Sequence, residues 1–261
     1  MDEDDRQADA ALSPDPRTYQ YRRGLLNGRV ILITGASDGI GKALAIQSAR
    51  LGAQIIVLGR NLKKLEATYD QIETIEDAPR PSIVAMDLAT ADADAYRSLA
   101  ASVENEIGRL DGLVHNAGIL GKRISIDQYD AGEWQRVIHV NLTAAFALTQ
   151  VLLPILRQSE DPSLIFTSSG VGRVGRAFWG AYSVSKFGTE ALAQILADEN
   201  RHTPLKVNCV NPGATRTNMR LQAYPAEDRS LLKTPDQVLP AYVYLLGPDS
   251  RGVTGKSLDA Q

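Results

Sequence analysis

In "AYSVSKFGTEAL" a tyrosine, Tyr182, precedes a lysine, Lys186, by four residues, with no helix breaker between them. On a helix that spacing puts both side chains on one face. A phenol with its ordinary pKa near ~10 is a poor acid-base group at neutral pH, and an ammonium held beside it favours the phenolate and lowers that pKa. Taken alone, a YxxxK pair reads more readily as a surface helix pair than as a site. The other chemically competent residues decide the matter.

Thirteen residues before Tyr182 lies Ser169, the last residue of the apolar run "PSLIFTSS". Its neighbour Ser168 alternates to the other face of a strand, so Ser169 is the better candidate to meet a substrate oxygen. Near the other end of the chain, "TGASDGIG" joins an apolar run to a helical pattern and contains Gly35, Ser37, Asp38, Gly39, Ile40 and Gly41. Glycines so placed let the chain turn tightly, let a phosphate approach the backbone and open the N–H groups of a helix N-terminus to it. A P-loop is excluded: five residues rather than four precede the Gly41-Lys42 pair, and Ala43 follows where Ser or Thr is required. "GASDG" also satisfies the G-x-S-x-G of a hydrolase nucleophile elbow, with Ser37 as nucleophile. That reading lacks partners, because His202 is the only late histidine and no preceding loop is marked for an oxyanion hole.

These residues need a frame, and the hydrophobic pattern supplies one. From Leu26 onward, apolar runs ("RVILIT", "QIIVLG", "PSIVAMDL", "DGLVHNAG", "PSLIFTSS", "LKVNCVNPG" and a short one near Lys256) alternate with amphipathic helical segments. Among these are a helix capped by Asn61, a long one over about 132–158, and one over 180–200. Runs that are apolar throughout read as strands buried on both faces. About seven such alternations predict an α/β, doubly wound Rossmann-type fold with a parallel sheet and helices on both faces, as one domain over residues 24–261. Residues 1–23 are acidic, contain prolines and lack periodicity, so they read as a flexible tail, with Tyr19 and Tyr21 as candidates to dock on the body. The net charge of −3 and pI near 5.7 argue against nucleic-acid or membrane-surface partners. Cys209 is the only cysteine and excludes an internal disulfide. The histidines show no metal-ligand spacing. The sequence shows no apolar stretch approaching the ~20 residues of a membrane span and no signal peptide. A cytoplasmic enzyme is the expectation.

Together, the glycine loop, "HNAG" (His115 to Gly118), "VNLT" with Asn141, "TSSG", YxxxK and "NPGATRT" (Asn211 to Thr217) resemble the compact branch of the short-chain dehydrogenase/reductases over residues 26–260. "FTSSGVGRVGRAFWGAYSVSKFGTEAL", "VNPGATRTNMR", "LKTPDQ" and the ending "DAQ" look further like the bacterial YciK-type oxidoreductases. The chain departs from that group in its longer acidic N-terminus, in Gly170 where a third serine is usual, and in stopping at Gln261.

The resemblance implies an NAD(P)-dependent oxidoreductase acting on a carbonyl or alcohol. Tyr182 would be the general acid and base, Lys186 would lower its pKa and hold the nicotinamide ribose, Ser169 would orient the substrate oxygen, and Asn141 would hold a relay water. It further implies cofactor contacts from the glycine loop, from Asp87 and Leu88 at the adenine, and from Asn116, Ala117 and Gly118. Pro212, Gly213, Thr215 and Thr217 would complete them. Trp179, Leu120 and the segment 216–233 would cover the substrate.

The second strand ends at Gly59 without the acid that usually binds a ribose 2′-OH, and Arg60 follows. This predicts NADP(H) preference over NAD(H), with Ser37 or Asn61 assisting and Asp38 as the counter-argument. The long Ala- and Leu-rich helices predict a homodimer or homotetramer. The alternatives are a catalytically silent cofactor-binding regulator of the same fold and the serine hydrolase already weighed.

Overall fold

In a computed structural model that describes residues 14–261, the apolar runs become seven parallel strands of one sheet in the order β3-β2-β1-β4-β5-β6-β7. These are β1 (Val30–Thr34), β2 (Gln54–Gly59), β3 (Ser82–Ala85), β4 (Gly112–His115), β5 (Ser163–Thr167), β6 (Lys206–Asn211) and β7 (Ser257–Asp259). The helices are α1 (Gly39–Arg50), α2 (Leu62–Glu73), α3 (Ala93–Ser102), α4 (Ala131–Ile138), α5 (Ala144–Leu156), α6 (Gly180–Glu199), α7 (Asn218–Ala223) and α8 (Leu239–Leu246). Side-chain alternation assigns each strand residue to a layer. Ile31, Ile33, Ile55 and Val57 pack with α1 and α8, whereas Val30, Leu32, Ile56 and Leu58 pack with α3, α5 and α6. This is the doubly wound α/β architecture that the pattern predicts, in a single domain.

Local chemistry sets the helix starts. Asp38, Asn61, Asp92 and Asp130 each accept a backbone N–H from the first turn of the helix they precede. The long helix expected over about 132–158 runs from Ala131 to Leu156 and carries a π turn at His139–Thr143. By length and composition this 26-residue helix could cross a membrane, which corrects the sequence-level statement that no stretch approaches such a span. Its apolarity has a local cause: Ala144, Leu148 and Leu152 are wholly buried or nearly so against the sheet.

Residues 1–13 of the expected tail lie outside the described residues. Residues 14–23 lie against the body. Tyr19 is buried, meets Tyr244 edge-on at 5.3 Å, and donates its hydroxyl to Asp249 at 2.6 Å. Tyr21 packs at the rim of the same cluster.

At the amino-terminal edge of the sheet, opposite the glycine loop, Asp111 ties three segments together. Its carboxylate accepts from Val30 N at 2.8 Å, from Ser159 Oγ at 2.6 Å and from Arg109 at 2.7 and 2.9 Å. Burial pushes the Asp111 carboxyl upward, but the hydrogen bonds from Arg109, Ser159 and Val30 outweigh it and hold the group below its ordinary value. Arg109 is more than half exposed, which weakens its share. Asp111→Ala leaves a buried strand N–H unpaired, and urea unfolding should show a loss of about 2–3 kcal/mol. Because the folded pKa is depressed, the contribution is present above the unfolded value near ~3.9 and is lost as pH falls through the folded one. The stability gap between wild type and Asp111→Asn should therefore shrink on acidification.

Candidate active site

The strand order reverses between β1 and β4: the chain leaves β1 for one face of the sheet and β4 for the other. Ligands of open α/β sheets bind in the crevice this creates at the carboxyl ends of the strands. Here the crevice is a cleft of about 660 Å³, a volume usual for small-molecule and cofactor sites.

One wall is the turn from β1 to α1. Gly35 has a φ of +68°, where a side chain is strained, and a Cβ on Gly41 would come within 2.4 Å of the Gly35 carbonyl oxygen. Asn116 closes the turn from the neighbouring strand, with Nδ2 donating to the carbonyls of Thr34 at 3.2 Å and Gly35 at 3.4 Å. The α1 N-terminus therefore borders the cleft through a turn whose positions 35 and 41 only glycine can fill. This cradle fits the pyrophosphate of a dinucleotide.

Along the same wall the cleft is lined by Ser37, Asp38, Gly39, Ile40, Arg60, Asn61, Asp87 and Leu88. Asp87 lies two residues beyond β3, which ends earlier than the sequence pattern suggests. Asp38, the residue that argued against a phosphate nearby, accepts from Asn218 Nδ2 at 2.7 Å and Lys64 Nζ at 3.2 Å and also caps α1. Burial works upward on its carboxyl, but Asn218, the Gly39 N–H and Lys64 hold it below its ordinary value. Among the described residues Arg60 has no ion pair; it is exposed at the cleft rim. Sequence reading missed Lys64 and Asn218. The signal for Lys64 was a cation in the first turn of α2, beside the end of β2.

Ala117, Gly118, Pro212, Gly213, Thr215 and Thr217 also line the cleft, Ala117 against Gly35 and Thr217 against Gly39. Thr217 caps α7, accepting from Arg220 N at 3.1 Å, and Thr215 Oγ1 donates to the Pro212 carbonyl at 3.1 Å. Gln261 Nε2 donates to that same carbonyl at 2.6 Å, so the chain's last residue closes on the Pro212 loop.

Ser169, Tyr182 and Lys186 meet at the floor of the cleft. Ser169 caps the 3-10 turn Gly170–Gly172, which turns its hydroxyl toward Tyr182, while Ser168 donates to Glu190 behind the strand. Tyr182 is pushed up to about 12 by burial, with a hydrogen bond from Ser169 pulling the other way. Lys186 is pulled down to about 8 by burial, with Cys209 and Glu190 opposing.

In the free chain burial outweighs the lowering expected for Tyr182 from the sequence. The Lys186 Nζ donates to the Thr167 carbonyl at 2.7 Å and stands 5.7 Å from the Tyr182 ring centre rather than at its hydroxyl. The free chain thus holds a neutral phenol beside a cation, the form suited to giving a proton.

Asn141 is buried in the π turn. Its Oδ1 accepts from Ile119 N at 2.8 Å, and its Nδ2 donates to Ile119 O and Ser185 Oγ, both at 3.0 Å. It is bound on both sides to the loop after β4 and to α6. A π turn also leaves a helical carbonyl without its usual partner, and such turns gather at functional sites.

Ser37 has no base to activate it. His115 is buried, its Nε2 against Thr149 Oγ1 at 2.8 Å and its pKa pushed down to about 3 by burial first and Lys186 second, and His202 bonds Arg201. The hydrolase geometry is not there.

Trp179, Leu120 and Met219 line the cleft, together with Ile119 and Lys122. No group of three metal-ligating side chains occurs among the described residues.

Comparison with known proteins agrees with this geometry. Residues 29–228 match the family model described as short chain dehydrogenase. The chain is 49% identical to the uncharacterised oxidoreductase YciK of Escherichia coli K12, over 93% of this chain and 96% of that one. It superposes with a TM-score of 0.92 on the crystal structure of a short chain dehydrogenase from Shigella flexneri, 48% identical, covering 94% of this chain and 96% of that one. A short chain dehydrogenase from Escherichia coli CFT073, crystallised with NADPH, is 49% identical with a TM-score of 0.89, covering 92% of this chain and 100% of that one.

Proposed function

The chain belongs to the short-chain dehydrogenase family of oxidoreductases, and on that premise we propose that it transfers a hydride between NADP(H) and a carbonyl or alcohol substrate, with Tyr182 as general acid and base. One observation carries the reading: Ser169, Tyr182 and Lys186 share the floor of a cleft whose wall is a glycine-tight helix N-terminus.

When bound, the nicotinamide supplies or accepts the hydride. The chain's own residues do the rest. Tyr182 gives the substrate oxygen a proton in reduction and takes it back in oxidation, and Ser169 hydrogen-bonds the same oxygen and fixes its direction. The Lys186 ammonium stabilises the phenolate that forms when Tyr182 gives up its proton, and lies where it can hold the nicotinamide ribose. Asn141 keeps the loop after β4 against α6, so that the nicotinamide side of the cleft stays formed, and the water relay belongs to the same proposal. The glycine loop (Gly35, Ser37, Asp38, Gly39, Ile40, Gly41) and Thr217 hold the pyrophosphate; Asp87 and Leu88 hold the adenine. A purely regulatory cofactor binder has no use for the acid-base set, which is intact.

Preference for NADP(H) rests on charge. Asp38 is paired with Lys64 and bonded by Asn218, and the rim where a 2′-phosphate would lie presents Arg60, with Ser37 and Asn61 beside it. NAD(H) would find no carboxylate at the end of β2 for its ribose. The relative crystallised with NADPH supports the same choice.

Assembly as a homodimer or homotetramer is part of the proposal. Phe146 on α5 and Val184, Phe187 and Ile195 on α6 are each between 44% and 54% exposed, a large apolar surface for two neighbouring helices. A cytoplasmic location and the absence of nucleic-acid and membrane partners complete the reading.

A panel of carbonyls and alcohols with both nicotinamide cofactors identifies the reaction. On whichever substrate the panel returns, Tyr182→Phe should cut kcat at least ~100-fold, the scale for removing a general acid. A variant as fast as wild type would end this mechanism. Arg60→Ala should lower kcat/KM for NADPH at least ~10-fold while sparing NADH, as loss of a charge-assisted phosphate contact requires. Sedimentation at micromolar concentration should return a mass of two or four chains, reduced by Phe146→Glu with Phe187→Glu; a single-chain mass for wild type would exclude assembly on these helices.

A further inference from the structure

Behind the floor of the cleft lies a group that the proposed chemistry does not use. Tyr182, Lys186 and Glu190 follow one another at four-residue steps on α6, so they share a face of the helix. Glu190 is buried, and three groups from three different segments converge on its Oε1: Ser168 at the end of β5 and Ser257 of β7, at 2.8 Å, donate hydroxyls to it, and Arg173 of the loop after Ser169 forms an ion pair with it at 3.5 Å. Arg173 in turn donates to Asp259 Oδ1 at 2.8 Å, and Asn211 Nδ2 donates to the same oxygen at 2.8 Å. The network thus begins one residue from Ser169 and ends one residue from Pro212.

We propose that Glu190 is a positioning residue of this active site: its buried carboxylate is the counter-charge that keeps Lys186 an ammonium, and its grip on Ser168, Ser257 and Arg173 fixes the end of β5 so that Ser169 faces the cleft. The inference rests on the reading of Tyr182 and Lys186 given above.

A buried carboxylate and a buried ammonium each carry a large desolvation cost, which attraction between them offsets. The groups around Lys186 show that Glu190 is the one available. From α6 come Tyr182 and Glu190, from β5 the Thr167 carbonyl, from β4 His115 and from β6 Cys209. Burial pushes the His115 imidazole down to about 3 and the Cys209 thiol up, so both are uncharged at neutral pH. Tyr182 is neutral too. Among the described residues Glu190 is therefore the one anion that acts on Lys186, from one turn further along α6 and without a direct ion pair. Arg173 faces Glu190 from the outer side, 30% exposed, and moderates its charge.

The sign follows. Burial already pulls Lys186 down to about 8, and Glu190 is among the groups that hold it up. Removing the Glu190 charge must lower the Lys186 pKa further and cost it its proton at a lower pH.

The test needs no substrate. In the full-length protein with isotopically labelled lysine, the Lys186 side-chain resonance, assigned by its loss in Lys186→Arg, is titrated by NMR in wild type and Glu190→Gln. Glutamine keeps the size and can still accept from Ser168 and Ser257. The proposal expects the Lys186 midpoint to fall by at least about half a pH unit, with the other lysine resonances in place. The pH above which NADPH binding, followed by its fluorescence, weakens should fall equally. An unmoved Lys186 midpoint overturns the proposal, whether or not NADPH binds. If Glu190→Gln does not fold, Arg173→Gln decides from the other side. With the guanidinium gone, Glu190 acts on Lys186 uncompensated, and the midpoint must rise; if it stays, the proposal fails. Failure of the functional reading would look different: no NADPH binding and no turnover in wild type, with Lys186 still responding to Glu190.

Discussion

Between β1 and β4, neighbouring strands send their chains to opposite faces of the sheet, and one hydroxyl holds the resulting crevice at its root. Thr34 Oγ1 accepts from the backbone N–H of Asn116 and of Ala117, each at 3.0 Å, and donates to the Val114 carbonyl at 3.3 Å. Two strands that diverge beyond this point are thereby kept together up to it. Everything in the cleft depends on that junction. It brings Asn116 against the Gly35 turn, and it sets the loop through Ile119 that Asn141 then clasps from α4 and α5. The reversal of strand order provides the space, and the hydrogen bonds at Thr34 and Asn141 set its width.

Within that space the electrostatics follow from burial more than from proximity. Tyr182 and Lys186 are both less than a tenth exposed. Each is therefore driven toward its neutral form, the phenol upward and the ammonium downward. For a proton donor in reduction, a raised phenol is the right resting state, and the cation beside it matters only as negative charge develops on the oxygen. A buried lysine can serve in that way only while it stays charged, so the carboxylate behind it and the Thr167 carbonyl in front are as much part of the site as the residues facing the cleft.

The sheet and most of the cleft could be read from sequence because strand alternation, glycine spacing and cap residues are local signals. Buried-run strands, the Asn61 cap and the Gly35–Gly41 turn each depend on neighbours in the chain. What could not be read depends on residues far apart. Nothing local says that Lys186 reaches the Thr167 carbonyl instead of the Tyr182 hydroxyl, or that Lys64 and Asn218 converge on Asp38 from 26 and 180 positions away. Asparagine is a poor helix former, yet Asn141 sits in mid-helix. Its tolerance comes from the π turn and the two backbone bonds to Ile119, which only the tertiary fold supplies. The apolar length of Ala131–Leu156 was underrated for a related reason: polar residues such as Asn141 and Thr149 interrupt it, yet are buried and bonded.

The two ends of the cleft are built with unequal stiffness, and this explains why one half is legible and the other is not. At the cofactor end, backbone meets backbone: a single methyl on Gly41 would collide with the Gly35 carbonyl, so the residue type is dictated. At the outer end, the cover is a stack of side chains. Arg123 lies 4.7 Å from the Trp179 ring and 4.6 Å from Tyr224, Arg220 lies 4.0 Å from Tyr224, and Glu227 pairs with Arg220. Such contacts contribute about 0.5–1 kcal/mol each where solvent reaches them, and many other residue combinations would serve as well. One further bond, from Arg123 to the Ala223 carbonyl at the end of α7, ties this cover to the loop after β4. This looseness frees the cover's sequence from backbone constraint, so the residues that would reveal the substrate are those the fold specifies least.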